Sequence, residues 1–202
     1  MNIFLKIFLL ILVSALANSA HSAQNILVFG DSLSAGYGIA RTDSWVNLLQ
    51  LELKITDPQF EVVNASISGE TTAGGLRRIS HAIQEHKPVV VILELGANDG
   101  LRGSPVAEIE GNLSLIIDQI KKVNSAVLLL GVQLPPNYGP DYTRRFRALY
   151  PKLAKKHQIT LVPFMLEGIA PEQFQADNLH PNAAAQSRIL QNILPSLKPI
   201  LR

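Results

Sequence analysis

The run Val89-Val90-Val91-Ile92-Leu93-Glu94-Leu95 enters after Pro88 and stops at Gly96. It is short and rich in β-branched and aliphatic residues, which reads as a buried β-strand. On its N-terminal side, residues 71–86 place Leu76, Ile79 and Ile83 at spacings of three and four, the period of an amphipathic helix. On its C-terminal side, residues 105–123 read as a second helix, with Pro105 near the first turn where a missing N–H is harmless. The same alternation extends outward in both directions. Residues 25–29, 60–63, 126–132 and 159–164 read as four more strands. Residues 43–54, 141–157 and 182–197 read as helices, the second of them expected to kink or split at Pro151. Strands alternating with helices imply parallel strands joined by crossover helices, and continuously apolar strands suit a sheet covered on both faces. The expected fold class is α/β, a three-layer α/β/α sandwich with a five-stranded parallel sheet. Ligands in such sheets sit beyond the carboxyl ends of the strands.

The chain has 202 residues, 47% hydrophobic and 17% charged, the composition of a globular protein. The formal net charge is +2, and Lys6 is the only charge in residues 1–23. That balance argues against nucleic acid as a partner. Arg144, Arg145 and Arg147 form the densest basic cluster and read as the solvated face of a helix. Cysteine is absent, which excludes disulfides, thiolate catalysis and cysteine-ligated zinc. Residues 1–23 combine the positive Lys6, an apolar run over residues 7–17 and small residues after it, the pattern of a signal peptide. The apolar run is shorter than a membrane span requires. The expectation is an exported, periplasmic or secreted protein, with one domain over residues 24–202 and no stable membrane insertion after signal removal.

Chemistry gathers where the strands end. Gly30-Asp31-Ser32-Leu33-Ser34 follows the first strand, and Asn64-Ala65-Ser66-Ile67-Ser68-Gly69-Glu70 follows the second. Gly96-Ala97-Asn98-Asp99-Gly100 follows the third, and Asp177-Asn178-Leu179-His180-Pro181 precedes the last helix. A serine hydroxyl needs a base to take its proton, and the base needs a partner to orient its ring. A tetrahedral oxyanion needs preorganised donors. Ser32 lies between a strand and a helix or turn, Gly69 offers an unobstructed N–H, and Asn98 offers a neutral amide. Asp177 and His180 meet if the segment between them turns, with Leu179 and Pro181 placed to pack beside the imidazole.

These residues resemble, in order, the four sequence blocks of the SGNH (GDSL) hydrolases, and the resemblance spans nearly all of the chain after residue 23. The longer strings around Gly69, Gly100-Leu101-Arg102-Gly103 and Leu134-Pro135-Pro136-Asn137-Tyr138-Gly139 are similar to the periplasmic thioesterase, arylesterase and lysophospholipase branch. The resemblance implies a flavodoxin-like SGNH hydrolase fold. It implies Ser32 as nucleophile, Asp177 and His180 as the rest of a triad, and the Ser32 N–H, Gly69 N–H and Asn98 amide as the oxyanion hole. It implies no cofactor, and a small-molecule acyl ester, acyl thioester or lysophospholipid as substrate. Where that branch often has Gly-Asp and Gly-Gly-Asn-Asp, this chain has Gly69-Glu70 and Gly96-Ala97-Asn98-Asp99, changes expected to tune the pocket without removing a catalytic group.

Other readings compete at single residues. Asp31 adjoins Ser32 but is expected to hydrogen-bond structurally, as is Asp99, and Ser34 reads as a local cap. Gly96 reads as a backbone turn. Leu33, Ile67, Leu101, Leu134 and Pro135 are candidates for an apolar acyl groove, with ordinary core packing as the alternative. His81 and His86 are five apart, which does not align two ligands on one helical face, so no metal site is expected. His157 falls near a helix end and is expected to complement its dipole. Dinucleotide, phosphate-loop and Gly-x-Ser-x-Gly motifs are absent. The rival functions are a carbohydrate deacetylase and a binding module that has lost catalysis, with peptide hydrolysis at most a secondary activity.

Overall fold

The computed structural model describes residues 24–201. The expected signal segment, residues 1–23, lies outside the described residues. Five strands, β1 (Gln24–Gly30), β2 (Phe60–Asn64), β3 (Val90–Glu94), β4 (Ala126–Leu130) and β5 (Thr160–Val162), form one sheet in the order β2-β1-β3-β4-β5. Every neighbouring pair is parallel. Ile26 to Phe29, Val91 to Leu93 and Leu128 to Leu130 are fully buried. Strands of this kind can be apolar throughout because helices cover both faces. Each such side chain contributes about 1.5–3 kcal/mol on leaving water.

The helices are α1 (Ser32–Ala35), α2 (Trp45–Thr56), α3 (Thr72–His86), α4 (Ala97–Leu101), α5 (Val106–Lys122), α6 (Pro140–His157) and α7 (Gln186–Leu197). Helices α3, α5 and α6 pack side by side on one face, and α2 and α7 pair on the other. Local chemistry sets their starts. The Ser44 hydroxyl accepts from the Asn47 N–H to open α2, and the Thr71 hydroxyl accepts from the Gly74 N–H to open α3. The expected break at Pro151 does not divide α6, which runs unbroken to His157. The lost bond leaves only the Arg147 carbonyl without its partner, on an exposed turn where water can serve it. The buried residues Phe146, Leu149, Tyr150 and Leu153 hold the helix on the sheet on both sides of the proline. The last helix begins later than expected, because residues 183–185 form a 3-10 turn capped by the Asn182 side chain. Arg144, Arg145 and Arg147 are exposed, as expected of a solvated face.

This strand order places the site. The chain leaves β1 toward β2 and returns past β1 to β3, so the connections diverge between β1 and β3. A crevice opens at the carboxyl ends of strands flanking such a point. Residues 31–34 leave β1 there, and residues 95–101 leave β3 beside them.

Candidate active site

Asp31 shapes the turn after β1. Its Oδ1 accepts from the Leu33 N–H at 3.1 Å, its carbonyl accepts from the Ala35 N–H at 2.9 Å, and α1 ends at Gly36 with φ 74°. Ser32 is therefore the first residue of a short helix, partly exposed above a fully buried aspartate. Trp45 braces the turn from α2, its indole N–H donating to the Leu33 carbonyl at 3.2 Å.

The opposite wall comes from the loop after β5. Asn178 takes a left-handed conformation, φ 55°, and turns the chain sharply between Asp177 and His180. Asp177 Oδ1 accepts from the Leu179 and His180 N–H groups at 2.9 and 3.0 Å, and its Oδ2 lies 2.6 Å from His180 Nδ1. The other ring nitrogen, Nε2, lies 2.8 Å from Ser32 Oγ, 148 residues away in sequence. The His180 N–H foremost, with the Leu179 N–H and the imidazole, holds the Asp177 carboxyl down at about 2. An ionised carboxylate can only accept, so the hydrogen bond to Asp177 calls for a proton on Nδ1 and leaves Nε2 facing the Ser32 hydroxyl. Asp177's contribution to stability is full above about pH 4 and is lost as pH falls through about 2.

Donors surround the serine. Among the described residues, neither the Ser32 N–H nor the Gly69 N–H donates to a protein acceptor. Gly69 sits at φ 80°, a conformation that L side chains rarely adopt. The Asn98 amide is already engaged, donating to Asp31 Oδ2 at 3.1 Å and to the Glu70 carbonyl at 3.0 Å. Both neighbours hold its nitrogen at the mouth of the crevice. Asp99 is turned away, accepting from the Thr72 N–H and hydroxyl at 2.9 and 2.6 Å. Gly96 takes φ 116°, and a Cβ there would stand 2.7 Å from Tyr150 Oη.

Several contributors were not visible in the sequence. Tyr37 packs beside the imidazole, its ring tilted by 43° with 4.6 Å between centroids. Ser34 is not a local cap: its hydroxyl donates to Glu94 at 2.8 Å, deep beneath the turn. Glu70 pairs with Arg78 at 2.5 Å, and Arg78 also donates to the Ala65 carbonyl at 2.8 Å and lies over the Phe29 ring. This partly buried pair braces the Gly69 loop more firmly than a surface ion pair would.

A second serine, histidine and aspartate meet elsewhere. Ser114 Oγ lies 2.8 Å from His157 Nε2, and His157 Nδ1 lies 3.3 Å from Asp118. His157 thus does more than face a helix dipole: it is buried between α5 and α6, and burial pushes its imidazole down. Ser114 is buried inside α5, where backbone N–H groups are spent on helix bonds, and Lys156 donates to its hydroxyl at 2.9 Å. With the surrounding N–H groups spent in the helix and Lys156 on the Ser114 hydroxyl, the trio staples two helices together. Triad distances alone do not make an active site.

The profile of the GDSL-like lipase/acylhydrolase family matches residues 28–188. The chain belongs to this family. It is similar to Esterase TesA of Pseudomonas aeruginosa, 48% identical over 182 residues that cover 89% of this chain and 90% of that one. It is also similar to an arylesterase of Vibrio mimicus, 40% identical with 96% and 98% covered. Thioesterase 1/protease 1/lysophospholipase L1 of Escherichia coli K12 is 40% identical, with 90% and 87% covered. Among solved structures, TesA superposes with a TM-score of 0.86 at 47% identity, covering 88% of this chain and 100% of that one. The esterase EstA of Pseudoalteromonas sp., inhibited by monoethylphosphonate, superposes at 0.83 and 37% identity, covering 88% and 98%. This GDSL-family chain is thus an ester hydrolase with the α/β fold expected of it.

The residues considered for an acyl groove are placed unevenly. Leu33 and Leu134 are partly buried against the core, and Leu134 also covers Gly100 on α4. Ile67 is half exposed on the Gly69 loop. Leu101 and Pro135 are partly buried and tied together through Tyr138, whose hydroxyl donates to the Leu101 carbonyl and whose N–H donates to the Pro135 carbonyl. Beyond Leu134, an open groove of about 1410 Å³ runs between Pro136, Arg144, Arg147 and Phe164. Among the described residues, no cluster of three or more His, Asp or Glu is arranged to hold a metal ion, and no helix is long and apolar enough to cross a membrane.

Proposed function

We propose that the chain hydrolyses acyl esters and thioesters through an acyl-enzyme formed on Ser32. One observation supports this reading above the rest: the unbroken path from the Asp177 carboxylate through His180 to the Ser32 hydroxyl, at 2.6 and 2.8 Å, beside unspent N–H donors. His180 Nε2 takes the Ser32 proton as Oγ bonds to the carbonyl carbon, and the carbonyl π electrons move to oxygen. The Ser32 and Gly69 N–H groups receive the resulting oxyanion. Asn98 shares one amide proton with it in place of the Glu70 carbonyl, since a bond to an anion is the stronger. His180 then protonates the leaving alcohol or thiol as the tetrahedral centre collapses to an acyl-serine. Water, deprotonated by the same nitrogen, releases the acid and restores Ser32. Asp177 orients the ring and stabilises the imidazolium throughout.

Asn98→Ala is expected to lower kcat about 10²–10³-fold with little change in KM, the usual loss for one oxyanion donor. Steady-state kinetics on p-nitrophenyl esters check this, and a change confined to KM contradicts the role.

The substrate class is proposed from the names of the relatives and from the apolar residues Ile67, Leu101, Leu134 and Pro135 beside the crevice. Activity should rise from acetyl to medium-chain p-nitrophenyl esters and extend to acyl thioesters and lysophospholipids. A preference for acetyl over medium chains would favour the carbohydrate deacetylase instead. Failure of a fluorophosphonate to label Ser32 would favour a binding module. Residues 1–23 lead us to propose export to the periplasm or medium, which fractionation of expressing cells checks.

A further inference from the structure

Beneath the nucleophile turn lies a carboxyl that the mechanism above leaves without a role. Glu94 ends β3 opposite Gly30 of β1 and is fully buried. Its Oε2 accepts from the Ser34 hydroxyl at 2.8 Å and from the Asp31 N–H at 3.3 Å. Its Oε1 is buried and has no donor among the described residues. A Cβ on residue 30 would stand 2.7 Å from Glu94 Oε2 and 2.9 Å from Ser34 Oγ. Gly30, Asp31 and Ser34, three of the five residues in the turn motif, are therefore shaped around this one group.

A second buried acid adjoins it. Asp31 is fully buried, with Oδ1 on the Leu33 N–H and Oδ2 on the Asn98 amide. Among the described residues, neither carboxyl forms an ion pair with a lysine or arginine. The other titratable groups that interact with the pair are His180 and Tyr150, neither a fixed cation. Two adjacent carboxylates in a dry site without a cation cannot both stay ionised. One proton is retained, and the hydrogen bonds decide where. Both Asp31 oxygens accept from N–H donors, whereas Glu94 has an oxygen with none. The energetics run the same way: burial first and the Asp31 charge next push Glu94 well up, while burial takes Asp31 only to about 6.

We propose that Glu94 is a neutral positioning residue whose carboxyl O–H donates to the Asp31 carboxylate, fixing Asp31 so that it caps α1 at Ser32 and orients the Asn98 amide. The proposal rests on the reading of Ser32 and Asn98 given above, but its spectroscopic test does not. In infrared difference spectra at neutral pH, wild type minus Glu94→Gln should show the carbonyl stretch of a protonated carboxylic acid. Absence of that band overturns the neutral state whatever the activity. In kinetics, Glu94→Gln should keep kcat within about 3-fold, because the amide N–H still donates to Asp31 and its C=O still accepts from Ser34. Glu94→Ala should lower kcat on the order of 10–100-fold at nearly constant KM, the scale of a slightly misplaced reacting group. A glutamine variant as impaired as the alanine variant, or a fully active alanine variant, overturns the positioning role. Should Glu94→Ala fail to fold, the glutamine variant and the infrared band still decide. A band present alongside full activity of Ser32→Ala would sink the proposed mechanism and leave the shared proton standing.

Discussion

Ser32→Ala should lower kcat on a p-nitrophenyl ester by about a million-fold, the scale seen when a serine nucleophile is removed. The stability of the fold should change by no more than about 1 kcal/mol, the net worth of one hydrogen bond. The two effects separate because Ser32 is partly exposed and its hydroxyl bonds only to His180, so the core loses nothing. The turn is built by Asp31, Trp45 and Glu94, and all three remain in the variant. What remains is the hole of N–H donors, which binds substrate without supplying a nucleophile. Parallel measurements of kcat and thermal unfolding check this. Activity within tenfold of wild type would reject Ser32 as the nucleophile, and a collapse of Tm would show that the turn depends on the hydroxyl.

His180→Ala should cost nearly as much as Ser32→Ala, and the double variant should be no worse than either. A hydroxyl without its base and a base without its hydroxyl are equally idle, so losses within such a unit do not add. The geometry argues for one unit, because His180 Nε2 and Ser32 Oγ are 2.8 Å apart. The substitution also removes the ring against which Tyr37 packs, 4.6 Å between centroids. Tyr37 and Asp177 are both well exposed, so the loss should fall on kcat rather than on folding. Multiplicative effects, with the double variant far below both singles, would mean that the two residues act independently and would refute the shared proton transfer.

The layered sheet was readable because its central strands are buried on both faces. Residues 89–95 carry the β-branched signature of a strand covered on both faces, and each flanking helix shows its apolar stripe. Capping and 3-10 turns were harder, as at residues 183–185, because they depend on a few local hydrogen bonds without periodicity. Pro151 misled for a related reason. The penalty of a proline is local, whereas the packing of Phe146, Leu149, Tyr150 and Leu153 is collective and prevails. Around the site, the residues proposed to carry chemistry stood out as polar side chains at strand ends. Their supports did not. Glu94 interrupts an apolar strand, and its environment is set by cross-strand register with Gly30, which only the sheet order determines. Tyr37 sits in a loop, and Arg78 reaches from α3 to Glu70 and Ala65 in the loop after β2, and the paths of these loops carry no sequence period. His157 shows the converse, a residue whose neighbours Ser114 and Asp118 mimic catalytic geometry between two packed helices.

The central claim is that acyl transfer passes through the Ser32 hydroxyl. Rapid acid quench during turnover of a slowly deacylated p-nitrophenyl ester, followed by peptide mass mapping, tests it most directly. An acyl group on the peptide containing Ser32, absent in the Ser32→Ala variant, is the expected result. Full turnover with the acyl group on Ser114, on another residue, or on none at all would contradict the account.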